Sequence, residues 1–269
     1  MRLATIRTAG GTRAVRIDDN AAVTLGHPDV GSLLHRPGWR AEAAEADGPQ
    51  LPLDGLDYAP VVTSPEKIIC VGLNYRSHIQ EMGRELPGYP TLFAKYARAL
   101  IGAHDPIALP GGSRQVDWEA ELGVVLGAEV RHASLEQAKA SIAGYTVVND
   151  ITARDFQFRT PQWLQGKTFE ASTPVGPWLD TDPVLGEITC TVDGELMQKA
   201  DTADLVFDAA ALIAYVSSII TLAPGDLIAT GTPGGVGHAR KPPRYLSAGS
   251  EVVTRVEGLG ECRNTCVEG

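Results

Sequence analysis

Short runs of strand length, some alternating apolar and polar and some continuously apolar, recur between turn residues along this chain and predict strands more often than helices. "LATIRTA", "RAVRID" and "AAVTL" follow that pattern and are separated by turn residues, a Gly-Gly pair among them, so residues 1–60 read as short strands and turns. Over residues 45–65 the composition shifts toward Ala, acids, Pro and Gly. That shift marks a boundary between a small N-terminal β-rich domain, residues 1–60, and a larger domain, residues 61–269. In the larger part "KIICVGLNY", "ELGVVLGAEV", "IAGYTVVNDIT" and "EITCTVDGELMQ" read as strands. Two segments have helical spacing. "SLEQAKASIA" opens on a Ser cap, and "DLVFDAAALIAYVSSII" runs until Ala-Pro-Gly stops it. Strands and helices do not alternate regularly, so the chain reads as α+β and β-rich, a roll or sandwich with a few packed helices rather than a doubly wound sheet.

One strand-like run breaks the usual logic. "QVDWEAELGVVLG" places Asp117, Glu119 and Glu121 at alternate positions, with Trp118, Ala120 and Leu122 on the opposite side. Same-face acids repel one another, so the row needs cations, water or a metal beside it. Neighbouring same-face positions lie about 6.5–7 Å apart, close enough for flexible carboxylates to converge on one ion. Oxygen donors without clustered His or Cys favour Mg2+, Mn2+ or Ca2+ over zinc. A solvated acidic edge would show the same spacing, and spacing does not choose among the three acids.

The net charge of −10 and the absence of a basic stripe argue against a nucleic-acid partner. An anionic small substrate is still compatible, because a metal and a few local cations dominate a pocket. The N-terminal "MRLATIRTAGGTRAVRI" lacks a signal-like apolar core, and "LVFDAAALIAYVSSIITLAPGD" falls short of a membrane span. A cytoplasmic protein is expected. Its four cysteines, Cys70, Cys190, Cys262 and Cys266, are not spaced as two close pairs and read as reduced packing residues.

Three further stretches offer chemistry. An apolar strand ends at Asn149-Asp150, followed by Arg154 and Gln157, which suit a substrate carboxylate or carbonyl; a capped helix start would look similar. In "GLNYRSHIQEMG", His78 and Glu81 are three apart and share a helix face, an arrangement for water activation or a plain surface pair. Lys167 sits in a turn-like "QGKTF", where it would be an oxyanion partner or a solvated charge. "ATGTPGGVG" lacks nucleotide-loop spacing and instead suggests a tight turn presenting backbone and Thr232 to a ligand.

Taken in order, "GLNYRSHIQEM", "YPTLFAK", "VDWEAELGVVLG", "GYTVVNDITARDFQ", "QGKTFEASTPVGPW" and "LIATGTPGGVG" resemble the fumarylacetoacetate hydrolase superfamily, in its bacterial acylpyruvate-hydrolase-like branch. The resemblance spans about residues 65–240. It implies a mixed β-sandwich roll, a homodimer and a bound Mg2+ or Mn2+. It implies Glu119, Glu121 and Asp150 as metal ligands and leaves Asp117 outside that set. It makes His78 and Glu81 a water-activating pair, Lys167 a catalytic cation, and Arg154, Gln157 and Thr232 substrate contacts. The implied reaction is hydrolytic C–C cleavage of 2,4-diketo acids, acylpyruvates such as fumarylpyruvate, in aromatic-compound catabolism. Oxaloacetate decarboxylation or 2-hydroxydienoate isomerisation would use the same metal-held enolate.

Overall fold

In the computed structural model of the chain, the described residues are 1–81, 83, 85–182 and 186–269, apart from the side chains of His78 and Glu81. The period-two segments form two main sheets. The larger has eleven strands, in the order Gln50–Leu51, Ala22–Thr24, Gly11–Ile17, Arg2–Thr8, Thr173–Asp180, Ile142–Asn149, Ala120–Leu126, Leu227–Ala229, Ile68–Gly72 and Thr91–Lys95, with Leu100–Ile101 beside Thr173–Asp180. Two of its pairings are parallel, Leu227–Ala229 with Ile68–Gly72 and Leu100–Ile101 with Thr173–Asp180. The smaller sheet runs Glu195–Asp201, Glu187–Val192, Glu251–Val256, Gly260–Glu268, Ile107–Leu109. The mixed, β-rich architecture expected from the alternation is the one the chain adopts.

Alternation also explains where the core lies. Trp118, Ala120, Leu122 and Val147 of the large sheet and its approach pack against Ile188, Cys190, Val192, Val252 and Val256 of the small one. Elsewhere on the large sheet Val124, Leu126 and Ile228 meet Leu212, Ile213 and Val216 of helix Ala209–Ile219. The N-terminal strands join the same large sheet through Arg2, which lies opposite Asp180. Leu3, Ala14 and Leu33 share an apolar cluster with Cys70, Val125 and Val148. Among the described residues no helix is long and apolar enough to cross a membrane. All four cysteines are free and buried.

Both sequence-predicted helices form, the first ending at Ala140 rather than running through "SIA" and the second starting later. Ser134 and Gln137 make a reciprocal capping box at the start of Leu135–Ala140. The second begins at Ala209 rather than near Asp204, because the Asp208 carboxylate accepts from Ala211 N–H and fixes the N-terminus there. Spacing alone had extended that helix back through "DLVF".

The acid row is not one continuous strand. Val116–Asp117 pairs with Thr152–Ala153 as a separate two-stranded ladder, and Ala120–Leu126 belongs to the large sheet. At the break, side chains replace ladder bonds: Trp118 N–H donates to Asp117 Oδ1 at 2.8 Å and Glu119 N–H to Asn149 Oδ1 at 2.9 Å. The break lies at the end of the sheet where strand Ile142–Asn149 delivers Asp150.

Candidate active site

Asp117, Glu119, Glu121 and Asp150 are all buried, so the solvated-edge alternative for the row does not hold. Each acid meets a different fate. The Lys167 ammonium donates to Glu119 Oε2 at 2.6 Å and to Asp150 Oδ2 at 2.7 Å. Lys95 donates to the other oxygen of Asp150 at 2.6 Å and to Ile151 O at 3.2 Å. Arg154 reaches Glu119 Oε1 with Nη1 at 2.6 Å and Asp117 Oδ2 with Nε at 2.8 Å, and also holds Gln157 Oε1 at 2.9 Å. Among the described residues Glu121 makes no ion pair and accepts only from Gly231 N–H, at 2.9 Å.

Electrostatics follow that geometry. Burial opposes the Asp150 charge, but Lys167 and Lys95 outweigh it and hold the carboxyl below its ordinary range. Burial likewise opposes the Arg154 and Lys167 charges, and the surrounding carboxylates overcome it, so both cations are held more firmly than in water. Glu121 goes the other way: burial, then Asp150 and Glu119, push its carboxyl well above the usual carboxylate range. A further cation beside it would relieve that penalty on the charged form.

That imbalance is the test of whether a metal fits. One ligand oxygen from each of Glu119, Glu121 and Asp150 lies within 4.8 Å of the others. The set is all-oxygen and buried, and its Glu121 carboxylate makes no direct ion pair among the described residues, the nearby Lys167 opposing burial and the two neighbouring acids only in part. A hard divalent cation suits that donor set, and a thiolate- or imidazole-seeking ion does not.

The glycine-rich segment is shaped by its approach to these acids. Gly231 sits at φ +102°, where a Cβ would come 2.9 Å from Val71 O, and its N–H is the donor to Glu121. At Gly237 a Cβ would lie 1.9 Å from Arg244 O, and the N–H of this residue donates to Asp117 Oδ1 at 2.7 Å. Thr232 Oγ1 accepts from Gln198 Nε2 at 2.8 Å. Beside the acids opens a cavity of about 330 Å3, lined by Glu119, Arg154, Gln157, Lys167, Thr232 and His238 together with an apolar wall of Val71, Phe93, Phe158, Trp163 and Val236. Trp163 reaches this wall only because Gly72 has no side chain; a Cβ there would lie 2.4 Å from the indole.

Of the residues singled out from sequence, Glu119, Glu121, Asp150, Arg154, Gln157, Lys167 and Thr232 are therefore gathered around one cavity and its floor. His78 and Glu81 fall on helix Arg76–Glu81, but their side chains lie outside the described residues. Two local expectations change. Lys167 is not in an open turn but ends the short helix Leu164–Lys167, buried between two carboxylates. Asp150 is not a helix cap: Arg154–Gln157 starts at Ala153 without a side-chain cap. Sequence reasoning missed Lys95 and His238. Lys95 closes the apolar run "YPTLFAK", and a lone cation ending an apolar strand was the available signal; nothing in "GVGH" marks His238.

The chain is similar in sequence and fold to known proteins. The family described as fumarylacetoacetate (FAA) hydrolase, C-terminal, matches residues 67–267. A mitochondrial oxaloacetate tautomerase from Rattus norvegicus is 44% identical over 234 residues, covering 85% of this chain and 74% of that protein. The fumarylacetoacetate hydrolase of the psychrophilic Exiguobacterium antarcticum superposes with a TM-score of 0.89 at 31% identity, over 100% of both chains. Maleylpyruvate hydrolase from Sphingobium sp. SYK-6 does so with a TM-score of 0.80 at 30% identity, again over 100% of both. Sequence match, shared fold and buried acid triad agree: the chain belongs to the fumarylacetoacetate hydrolase family.

Proposed function

We propose that the chain is a Mg2+- or Mn2+-dependent enzyme of 2-oxo acids that lowers the energy of an enolate, and that its reaction is hydrolytic C–C cleavage of 2,4-diketo acids to pyruvate and a carboxylic acid. The observation that carries this reading is the buried triad of Glu119, Glu121 and Asp150, in which Glu121 makes no ion pair among the described residues. Glu119, Glu121 and Asp150 would hold the ion, which supplies Lewis-acid stabilisation of negative charge on the substrate oxygens. Arg154, with Gln157 held at 2.9 Å, would orient the substrate, and Thr232 would contact it from the opposite loop. Lys167 would stabilise the tetrahedral oxyanion; one such donor is worth about 3–4 kcal/mol. The apolar wall of Phe93 and Trp163 keeps bulk water from these charges. His78, oriented by Glu81, would take the proton of the attacking water. A homodimer is the assembly the family resemblance suggests.

Similarity to a protein named as an oxaloacetate tautomerase, at 44% identity, favours a second reading in which the enolate is simply reprotonated. One experiment separates them. Pure protein with Mg2+ is incubated with acetylpyruvate and fumarylpyruvate while diketo absorbance is followed, and with oxaloacetate while enol absorbance, pyruvate and CO2 are followed. Hydrolysis predicts loss of diketo absorbance with stoichiometric pyruvate, abolished in His78→Ala while Mg2+ affinity stays near wild type. Faster decay of the oxaloacetate enol with intact diketo acids would replace hydrolysis by tautomerisation, and CO2 release would replace it by decarboxylation.

A further inference from the structure

The cavity beside the acids has two unlike ends. Glu119, Arg154 and Lys167 line it and are buried; His238, Ala239 and Phe158 line it and are exposed. At the buried end the cations are engaged, Arg154 with Asp117, Glu119 and Gln157, and Lys167 with Glu119 and Asp150. Among the described residues the open end carries one imidazole, that of His238, and it is braced on three sides. Its backbone N–H donates to Asp117 Oδ2 at 2.9 Å. Its Nδ1 lies 3.0 Å from the Tyr245 hydroxyl, and its ring is tilted against Phe158 with centroids 5.2 Å apart. Tyr245 donating to Nδ1 leaves the ring proton on Nε2, and a protonated ring keeps that donor while the tyrosine oxygen accepts. Among the described residues Nε2 has no hydrogen-bond partner. A preorganised N–H at the mouth of a cavity of about 330 Å3 is a recognition element for an acceptor at the far end of the ligand.

Resting on the 2-oxo acid reading above, we infer that His238 is the specificity-determining residue for the far end of the substrate. Its Nε2–H takes a second carboxylate, so the enzyme selects 2-oxo dicarboxylic acids over monocarboxylic acids of equal length. Tyr245 is a positioning residue that fixes the ring.

Calorimetric titration of the Mg2+-loaded protein with 2-oxoglutarate and with 2-oxopentanoate tests this without turnover, since neither has the 4-oxo group that hydrolysis needs. Wild type is expected to bind the diacid about tenfold more tightly, the effect of one hydrogen bond to a charged group. His238→Ala should bring the two affinities within about twofold by weakening the diacid alone, and Tyr245→Phe should fall between. His238 is exposed, so circular dichroism of the variant is expected to match wild type. Unchanged discrimination in His238→Ala, or none in wild type, overturns the inference while the 2-oxo acid reading stands. If wild type binds neither compound, that reading falls and the inference with it.

Discussion

Glu121→Gln is expected to abolish divalent-metal binding while leaving the metal-free chain at least as stable as wild type. The two effects have one cause. Glu121 is 1% exposed and, among the described residues, accepts only from Gly231 N–H and faces Asp150 and Glu119 without an ion pair. A neutral amide of the same shape keeps an acceptor for Gly231 and requires neither a buried like charge nor a proton taken up on folding. Hence the melting temperature in chelator should match or exceed wild type. With metal the charge becomes an asset: a carboxylate beside a cation is worth several kcal/mol at an effective dielectric of about 20, so affinity should fall roughly a hundredfold or more. Thermal denaturation in EDTA and calorimetric Mn2+ titration read the two quantities separately. A variant that is destabilised without metal yet binds Mn2+ normally would show Glu121 to be a structural acid.

Asp117→Ala should do the reverse, damaging the fold and sparing the metal. As the acid left outside the ligand set, Asp117 is expected from sequence to tolerate replacement better than Glu121. Its contacts say otherwise for stability. It is fully buried and accepts from Trp118 N–H, Gly237 N–H, His238 N–H and Arg154 Nε at 2.7–2.9 Å. Alanine leaves three backbone donors and a buried guanidinium short of a partner. Breaking a buried ion pair from one side costs about 3–5 kcal/mol, which for a chain of this size lowers the melting temperature by about 10 °C. Arg154 keeps only its Glu119 contact among the carboxylates, so KM for a keto acid should also rise. Mn2+ affinity should stay within a few-fold of wild type. A loss as large as that of Glu121→Gln would place Asp117 among the ligands.

Much of this site was legible because it obeys local rules. Strand-length apolar runs located the strands, Ser134 and the apolar spacing located both helices, and the alternate acids pointed to a cation nearby, while the choice of Glu119, Glu121 and Asp150 came from the family resemblance. What was not legible depends on distant pairings. Lys95 meets Asp150 across 55 residues, and Asp117 meets Gly237 across 120. No window holds both partners, so Lys95 was missed and the structural role of Asp117 was not visible. The N-terminal strands enter the large sheet by the pairing of Arg2 with Asp180, again invisible locally. Helix Ala209–Ile219 was started too early because apolar spacing continues through "DLVF", whereas the Asp208 cap that ends the extended backbone is one residue.

Crystals soaked in Mn2+, with anomalous differences recorded at the manganese edge, test the central claim most directly. The account predicts one strong peak touching carboxylate oxygens of Glu119, Glu121 and Asp150 together. A map with no peak there, and with Lys167 still spanning Glu119 and Asp150 at saturating Mn2+, would contradict it.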